Sequence, residues 1–263
     1  MADSPDASGD EILFRFTFTD RNGRVLTERD LQAYAGPARQ EVRSDDAVPT
    51  EAQVLHQKGR EAGATGDSAA ALAYFARAAK LAPDWPYPLY DAAFTHLLQG
   101  DFKTAYDYYR RVDAMAPRGF FTVKTAVDAL AKEAAGILPQ GLYLYFVTLE
   151  WETDRAKKYR AIVEMTEKVP QFAPGWMAFA HRQKNDDKRL AALDNGLRAD
   201  PDAETRRVLL FNKALLLQQR GEHDTASEIL RELAMDPAGL GSVEGFVKPL
   251  PPNLPEDDAA PPG

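Results

Sequence analysis

The sequence predicts an all-α protein, a solenoid of stacked helical hairpins, and two segments of equal length carry that prediction. The segments GDSAAALAYFARAAKLAP (residues 66–83) and GDFKTAYDYYRRVDAMAP (residues 100–117) match at seven of eighteen positions, at a constant offset of 34 residues. Each starts with Gly-Asp, in which the glycine ends one helix and the aspartate caps the next. Each closes with Ala-Pro, because proline cannot continue a helix. A repeat of this length accommodates two antiparallel helices.

Small side chains recur at fixed positions of the repeat and explain its many alanines. Helix axes approach closely only where small side chains face each other, and an aromatic ring fills the space beside them. In the first unit, residues 52–85, the diagnostic residues are Leu55, Gly59, Ala71, Phe75, Ala78 and Pro83. In the second unit, residues 86–119, the corresponding residues are Leu89, Ala93, Ala105, Tyr109, Val112 and Pro117. The pattern resembles the tetratricopeptide repeat (TPR), a helix-turn-helix unit of 34 residues.

The resemblance continues in weaker form through a predicted array at residues 51–238, of which residues 120–237 are predicted to form degenerate units. The segments 160–176 and 189–202 keep the helix-ending prolines Pro170 and Pro201 but lack the Gly-acid turn, which residues 221–237 regain. The segment 122–136 is helical by its spacing but fits no unit. The segment LYLYFVTLEW (residues 142–151) is predicted to be a helix because its neighbours are helical, although its alternation also suits a strand.

Both ends of the chain depart from this pattern. Residues 1–10 predict a disordered leader, and residues 37–50 a linker. Within residues 11–36, Phe14, Phe16 and Phe18 alternate with polar residues and a turn sequence follows, which predicts a β-hairpin and then a short helix. Residues 239–263 predict a disordered, proline-rich, acidic tail. The tail has PxxP spacings, but it lacks the flanking basic residue that polyproline ligands use, which favours a solvated tail.

Composition and motifs narrow the classes of function. The formal net charge of −8 disfavours a nucleic-acid partner, because Lys and Arg neutralise the phosphates in such complexes. The chain has no cysteine, its four histidines lack the spacing of metal ligands, and no nucleotide-binding or hydrolase motif is present. We therefore expect no enzyme activity, no cofactor and no metal.

The same features predict a cytoplasmic protein without membrane contact. The acidic N-terminus does not have the basic and apolar stretches of a secretory signal. The most apolar window, residues 136–149, is interrupted by Pro-Gln-Gly and is too short to span a bilayer.

The resemblance also implies where a partner would bind. In tetratricopeptide arrays the first helix of each unit lines a concave groove. The groove positions of this chain include His56 and Arg60 in the first unit and Tyr87, Tyr90 and Phe94 in the second. Aromatic side chains on a surface commonly mark an interaction site. The alternative is that helix 122–136 or the hairpin covers these side chains.

Two functions are compatible with these features. The first is a non-enzymatic adaptor or scaffold that binds a peptide or helix of another protein in the groove, with Tyr87, Tyr90 and Phe94 as apolar anchors and Arg60 as a polar one. The alternative is a homo-oligomeric structural protein that assembles through its N-terminal β-hairpin. The carboxylate clamp of some family members is disfavoured, because Asp91 stands where the clamp has an asparagine and would repel a carboxylate.

Overall fold

Eleven α-helices follow one another in the described part of the chain. The structure, a computed structural model, describes residues 48–117 and 119–235, together with the backbone of residues 18–19 and 25–26. The helices are α1 (Thr50–Ala64), α2 (Ser68–Leu81), α3 (Tyr87–Leu98), α4 (Phe102–Met115), α5 (Val123–Ala134), α6 (Leu142–Thr148), α7 (Arg155–Lys168), α8 (Ala173–Ala180), α9 (Asp186–Arg198), α10 (Ala203–Gln219) and α11 (His223–Met235). A short 3-10 helix, Leu149–Trp151, extends α6.

The turns inside the first two helix pairs have the geometry that the Gly-Asp signals predict. Gly66 and Gly100 adopt φ angles of 85° and 76°, which an L-residue with a side chain rarely adopts. The next residue then caps the following helix: an Asp67 oxygen accepts a hydrogen bond from the backbone N–H of Ala70 at 3.0 Å. An Asp101 oxygen caps α4 in the same way at 3.1 Å. The predicted pairs α1–α2 and α3–α4 are therefore confirmed.

The small residues of the repeat lie where the helices touch. Gly59 of α1 faces the ring of Phe75 on α2 so closely that an added Cβ would lie 2.4 Å from a ring carbon. Ala71 and Ala78 on α2 are fully buried in the same contact. The corresponding Ala93 and Ala105 of the second pair are fully buried as well. The alanine-rich stretches are thus packing surfaces between helices.

The weaker repeats are helical throughout. The predicted helix at 122–136 is α5, and the ambiguous segment 142–151 forms α6 and the 3-10 helix. Helix α6 is fixed to α5 by Glu133, whose carboxylate accepts hydrogen bonds from the backbone N–H groups of Gly141 at 2.8 Å and Tyr143 at 2.6 Å. The last pair, α10–α11, regains the glycine turn, with Gly221 at φ 81°.

One contact links helices that are far apart in sequence: α10 packs against α5 as well as against its neighbours. The buried carboxyl group of Glu204, near the start of α10, accepts hydrogen bonds from the backbone N–H groups of Lys124 at 3.2 Å and Thr125 at 3.4 Å. The Thr125 hydroxyl lies 3.2 Å from the Thr205 hydroxyl. The last helix pair, α10–α11, therefore packs through α10 against α5 in the middle of the solenoid, next to the segment that precedes α5.

Little of the predicted N-terminal hairpin and none of the predicted tail belong to the described part of the chain. Two strands of two residues, β1 (Phe18–Thr19) and β2 (Val25–Leu26), pair antiparallel, with Phe18 opposite Leu26. The rest of the hairpin, its helix, the leader and the tail at 239–263 lie outside the described residues and stay predictions. Among the helices of the described part, none is long and apolar enough to cross a membrane.

Candidate functional site

Helix α3 presents the three predicted aromatic residues on one face. Tyr87, Tyr90 and Phe94 are spaced three and four residues apart, which places them in a row along a helix. All three side chains are half-buried. Their burial leaves part of each ring accessible while the rest packs on neighbouring elements.

The segment between α4 and α5 packs two further rings on this face. The Phe120 ring meets Tyr87 edge-on, with 4.9 Å between ring centroids, and lies 5.6 Å from Tyr90. Phe121 lies 5.2 Å from Tyr90, yet it remains 47% exposed. Its backbone has a φ of 48°, an unusual conformation for a bulky residue. Strained residues of this kind cluster at functional sites.

A tryptophan extends the row at its other end. The Trp151 ring packs edge-on against Phe94 at 5.9 Å and is 58% exposed. It borders a shallow recess of about 320 Å³ that Tyr145 and Lys157 also line. We call the row formed by Tyr87, Tyr90, Phe94, Phe120, Phe121 and Trp151 the aromatic strip.

The centre of the aromatic strip is held in place by hydrogen bonds. The hydroxyl groups of Tyr90 and Thr122 share a hydrogen bond of 3.3 Å, and the Tyr143 hydroxyl donates to the same threonine oxygen at 3.4 Å. Burial raises the pKa of the Tyr90 hydroxyl, although the bond to Thr122 opposes that shift. Tyr90 is therefore neutral at physiological pH, and its ring orientation is fixed through Thr122.

The two polar residues that the sequence predicts lie at one edge of the strip. His56 is buried, packs edge-on against Trp85 at 4.9 Å, and donates a hydrogen bond of 2.8 Å from Nε2 to Asp91. The side chain of Arg60 is 64% exposed, and its Nε lies 3.9 Å from the same carboxylate oxygen. His56 thus positions Asp91, whereas the Arg60 guanidinium group faces solvent.

The structure brings all five predicted residues together and adds members that the repeat pattern did not predict. Phe120, Phe121 and Trp151 lie on segments that no repeat position specifies, and so their place could not be read from the repeat. The signal available was the pair of adjacent phenylalanines in a connection, which is unusual for a solvated loop. Residues 120–122, just before α5, contact Tyr90. Cover of these side chains by helix 122–136 or by the hairpin stays a prediction.

The chemistry of the strip is that of an apolar surface. Within residues 48–117 and 119–235, no three His, Asp or Glu residues are grouped so as to hold a metal ion. The rings offer apolar area and π-faces, and the charges of Arg60 and Asp91 lie at the edge. Such a surface suits contact with apolar side chains of another segment.

Comparisons with known proteins found similar solved structures and one matching family model. The chain is similar to the solved structure of MamA 41-end from Desulfovibrio magneticus RS-1, at 16% identity over 72% of this chain and 96% of that chain, with a TM-score of 0.33. A MamA RS-1 double mutant is similar at 15% identity over 73% of this chain and 96% of its own, with a TM-score of 0.34.

A further similar structure is a thermophilic TPR protein of Thermus thermophilus, at 22% identity over 74% of this chain and 93% of that chain, with a TM-score of 0.31. A search of curated proteins found none that matches. The family model for the tetratricopeptide repeat matches residues 52–84, which is the first unit of the pattern. Residues 52–84 of the chain thus have the pattern of a tetratricopeptide repeat.

Proposed function

We propose that this protein is a non-enzymatic adaptor that binds a peptide or helix of a partner protein along the aromatic strip. Tetratricopeptide arrays generally mediate protein–protein interactions. The observation that carries the proposal is the row of rings on α3, flanked by the exposed rings of Phe121 and Trp151. Exposed, contiguous aromatic surface of this kind is uncommon on a protein that has no partner.

The fit of a peptide follows from the shape and chemistry of the strip. Three rings from one helix face give anchoring points along about 10 Å, since a helix rises 1.5 Å per residue. An extended segment or an amphipathic helix places apolar side chains at comparable intervals. Each well-buried anchor contributes on the order of 1–3 kcal/mol. The polar contacts of Arg60 at the edge would then orient the ligand.

Peptide-display selection on the full chain, followed by calorimetry, tests the proposal. We expect enriched peptides with apolar or aromatic residues at regular spacing. The single variants Phe121→Ala and Trp151→Ala should each weaken their binding by about tenfold or more, which corresponds to roughly 1.4 kcal/mol. About half of each side chain is exposed, 47% for Phe121 and 58% for Trp151, so the helical fold should survive, which circular dichroism checks.

A matched control is Tyr159→Ala on α7, because that ring is also exposed, at 40%, and is not part of the strip. We expect this variant to bind the selected peptides with unchanged affinity. Peptides whose affinity responds to Tyr159→Ala but not to Phe121→Ala or Trp151→Ala would contradict the assignment of the strip.

A further inference from the structure

We propose that the proline-rich C-terminal segment FVKPLPPNLP, residues 246–255, docks on the aromatic strip of its own chain and competes there with a partner peptide. This inference rests on the proposed function of the strip. The segment would occupy the strip from within the same molecule and would thereby regulate the access of a partner peptide. Three observations carry it: the place where the last helix ends, the reach of the segment, and the chemistry of the rings.

A series of contacts connects the end of the last helix to the strip. Near the end of α11, Glu232 forms a 2.7 Å ion pair with Arg206 on the first turns of α10. Two residues before Arg206, the carboxyl group of Glu204 accepts hydrogen bonds from the first backbone N–H groups of α5. Phe121 lies two residues before that helix start in sequence. These contacts connect the end of α11, through α10, to the segment from which Phe121 joins the strip.

The connection between α11 and the segment gives the segment a long reach. Fifteen residues separate Met235, the end of α11, from Leu250 in the middle of the proline-rich run. An extended chain covers about 3.3 Å per residue, so this stretch spans up to roughly 50 Å. The short connection also gives the segment a high effective concentration at the strip, on the order of millimolar.

The side chains of the segment fit an aromatic surface. Proline-rich sequences favour the polyproline II helix, which loses little conformational entropy on binding and docks between aromatic rings. Leu250 and Leu254 flank the central Pro-Pro pair and add apolar contacts. The tethered segment does not need the basic flank that free polyproline ligands use, because effective concentration replaces part of that binding energy. The acidic residues 256–258 follow directly and can approach the exposed Arg60 at the edge of the strip.

A contact-range fluorescence experiment on the full chain tests the inference. The natural chain has no cysteine, so Asn253→Cys offers a single position for a bimane label, whose emission is quenched when it touches an indole ring. Two of the three tryptophans, Trp85 and Trp151, lie at the strip, whereas Trp176 packs against Phe179 and Gly196. We expect quenching that is lost in the variant with both Trp85→Phe and Trp151→Phe and is retained in Trp176→Phe.

Each other result overturns the inference. Emission equal to that of the urea-unfolded labelled chain means that the segment does not dock. Quenching that grows with protein concentration means that the tail of a second copy occupies the strip. Quenching that survives the Trp85→Phe and Trp151→Phe substitutions means that the segment docks elsewhere.

A competition measurement separates this inference from the proposed function. If the tail occupies the strip, the variant carrying Leu250→Ser and Leu254→Ser should bind a display-selected peptide about threefold more tightly or better, since more of the site is free. Unchanged affinity contradicts the tail inference and leaves peptide binding intact. A different outcome is that display selection yields no peptide that binds this variant, while the labelled chain with the natural Leu250 and Leu254 is still quenched. In that case the proposed function fails and the docked tail remains.

Discussion

Gly59 marks the closest approach between α1 and α2. A Cβ at this position would lie 2.4 Å and 2.6 Å from two ring carbons of Phe75, which is itself buried. The ring cannot move away without disturbing the alanines around it, so Gly59→Ala should lower the free energy of unfolding by about 1–3 kcal/mol. Urea unfolding followed by circular dichroism measures the change.

Gly63, one turn further along α1, provides the control. A Cβ there meets only the Ala71 methyl group at 3.8 Å, an ordinary contact distance. Because alanine favours the helix over glycine by up to about 1 kcal/mol, Gly63→Ala should leave the stability unchanged or raise it. If Gly63→Ala lowers the free energy of unfolding as much as Gly59→Ala does, then helix geometry, and not the Phe75 contact, limits residue size in α1.

At the residue scale, the sequence predicts the structural role of a residue where a local contact or backbone conformation requires one residue type. The glycine at Gly59 and the turn glycine at Gly66 could be predicted because repeat spacing defines their neighbours. His56 was predicted to bind a partner, and that role stays a prediction. Its burial and its hydrogen bond to Asp91 depend on a residue 35 positions away, which local spacing does not reveal.

At the scale of elements, the contact between α5 and α10 is sensitive to pH through Glu204. Burial raises the pKa of this carboxyl group to about 8, with Asp202 adding to the rise, while the N–H of Thr125 and the charges of Lys124 and Arg207 oppose it. The folded protein thus keeps a proton that the unfolded chain loses near pH 4.5. The free energy of unfolding should therefore fall as pH rises from about 4.5 to about 8, because a pKa unit corresponds to about 1.4 kcal/mol.

The variant Glu204→Gln isolates this contribution. Its amide oxygen can still accept the two backbone N–H groups at the start of α5, but it does not ionise. The difference in free energy of unfolding between the variant and the natural chain should grow from about pH 5 to about pH 8, where it reaches roughly 2–5 kcal/mol in favour of the variant. Above about pH 8 the difference should stay constant. Urea unfolding at each pH gives the difference.

An exposed glutamate serves as the control for that series. Glu232 on α11 lies at the surface, and Glu232→Gln should follow the pH dependence of the natural chain. If Glu204→Gln follows the natural chain as well, then Glu204 is ionised in the folded protein well below its expected pKa of about 8 and does not govern the contact between α5 and α10.

Elements with local signals could be predicted, whereas the contact between α5 and α10 could not. The helix at 122–136 followed from its spacing, and α6 from its helical neighbours, but α5 fitted no repeat unit. The structure gives the reason: α5 packs on α4, α6 and α10, so its surroundings differ from those of a regular repeat. The Glu204 contact joins residues 80 positions apart, and neither end carries a motif.

At the scale of the whole molecule, the contact between α5 and α10 changes how stability is shared. In a linear solenoid each repeat touches only its neighbours, and a local defect affects mainly the adjacent repeats. Here the C-terminal helices also support the middle of the chain, including the segment that carries Phe120 and Phe121 onto the aromatic strip. The shape of the proposed binding surface therefore depends on helices that do not line it.

Hydrogen exchange can measure that coupling. Leu209 on α10 is fully buried against α9 and Trp176, so Leu209→Ala should leave a cavity and cost about 2–5 kcal/mol. We expect amide exchange followed by mass spectrometry to quicken in α9, α10 and α11, and also in α5, because α10 holds the start of α5 through Glu204 and Thr205. The control variant Leu98→Ala, at an exposed position, should leave amide exchange in α5 unchanged. Faster exchange confined to α9–α11 would mean that the chain behaves as a linear stack and that the contact between α5 and α10 transmits no stability to the strip.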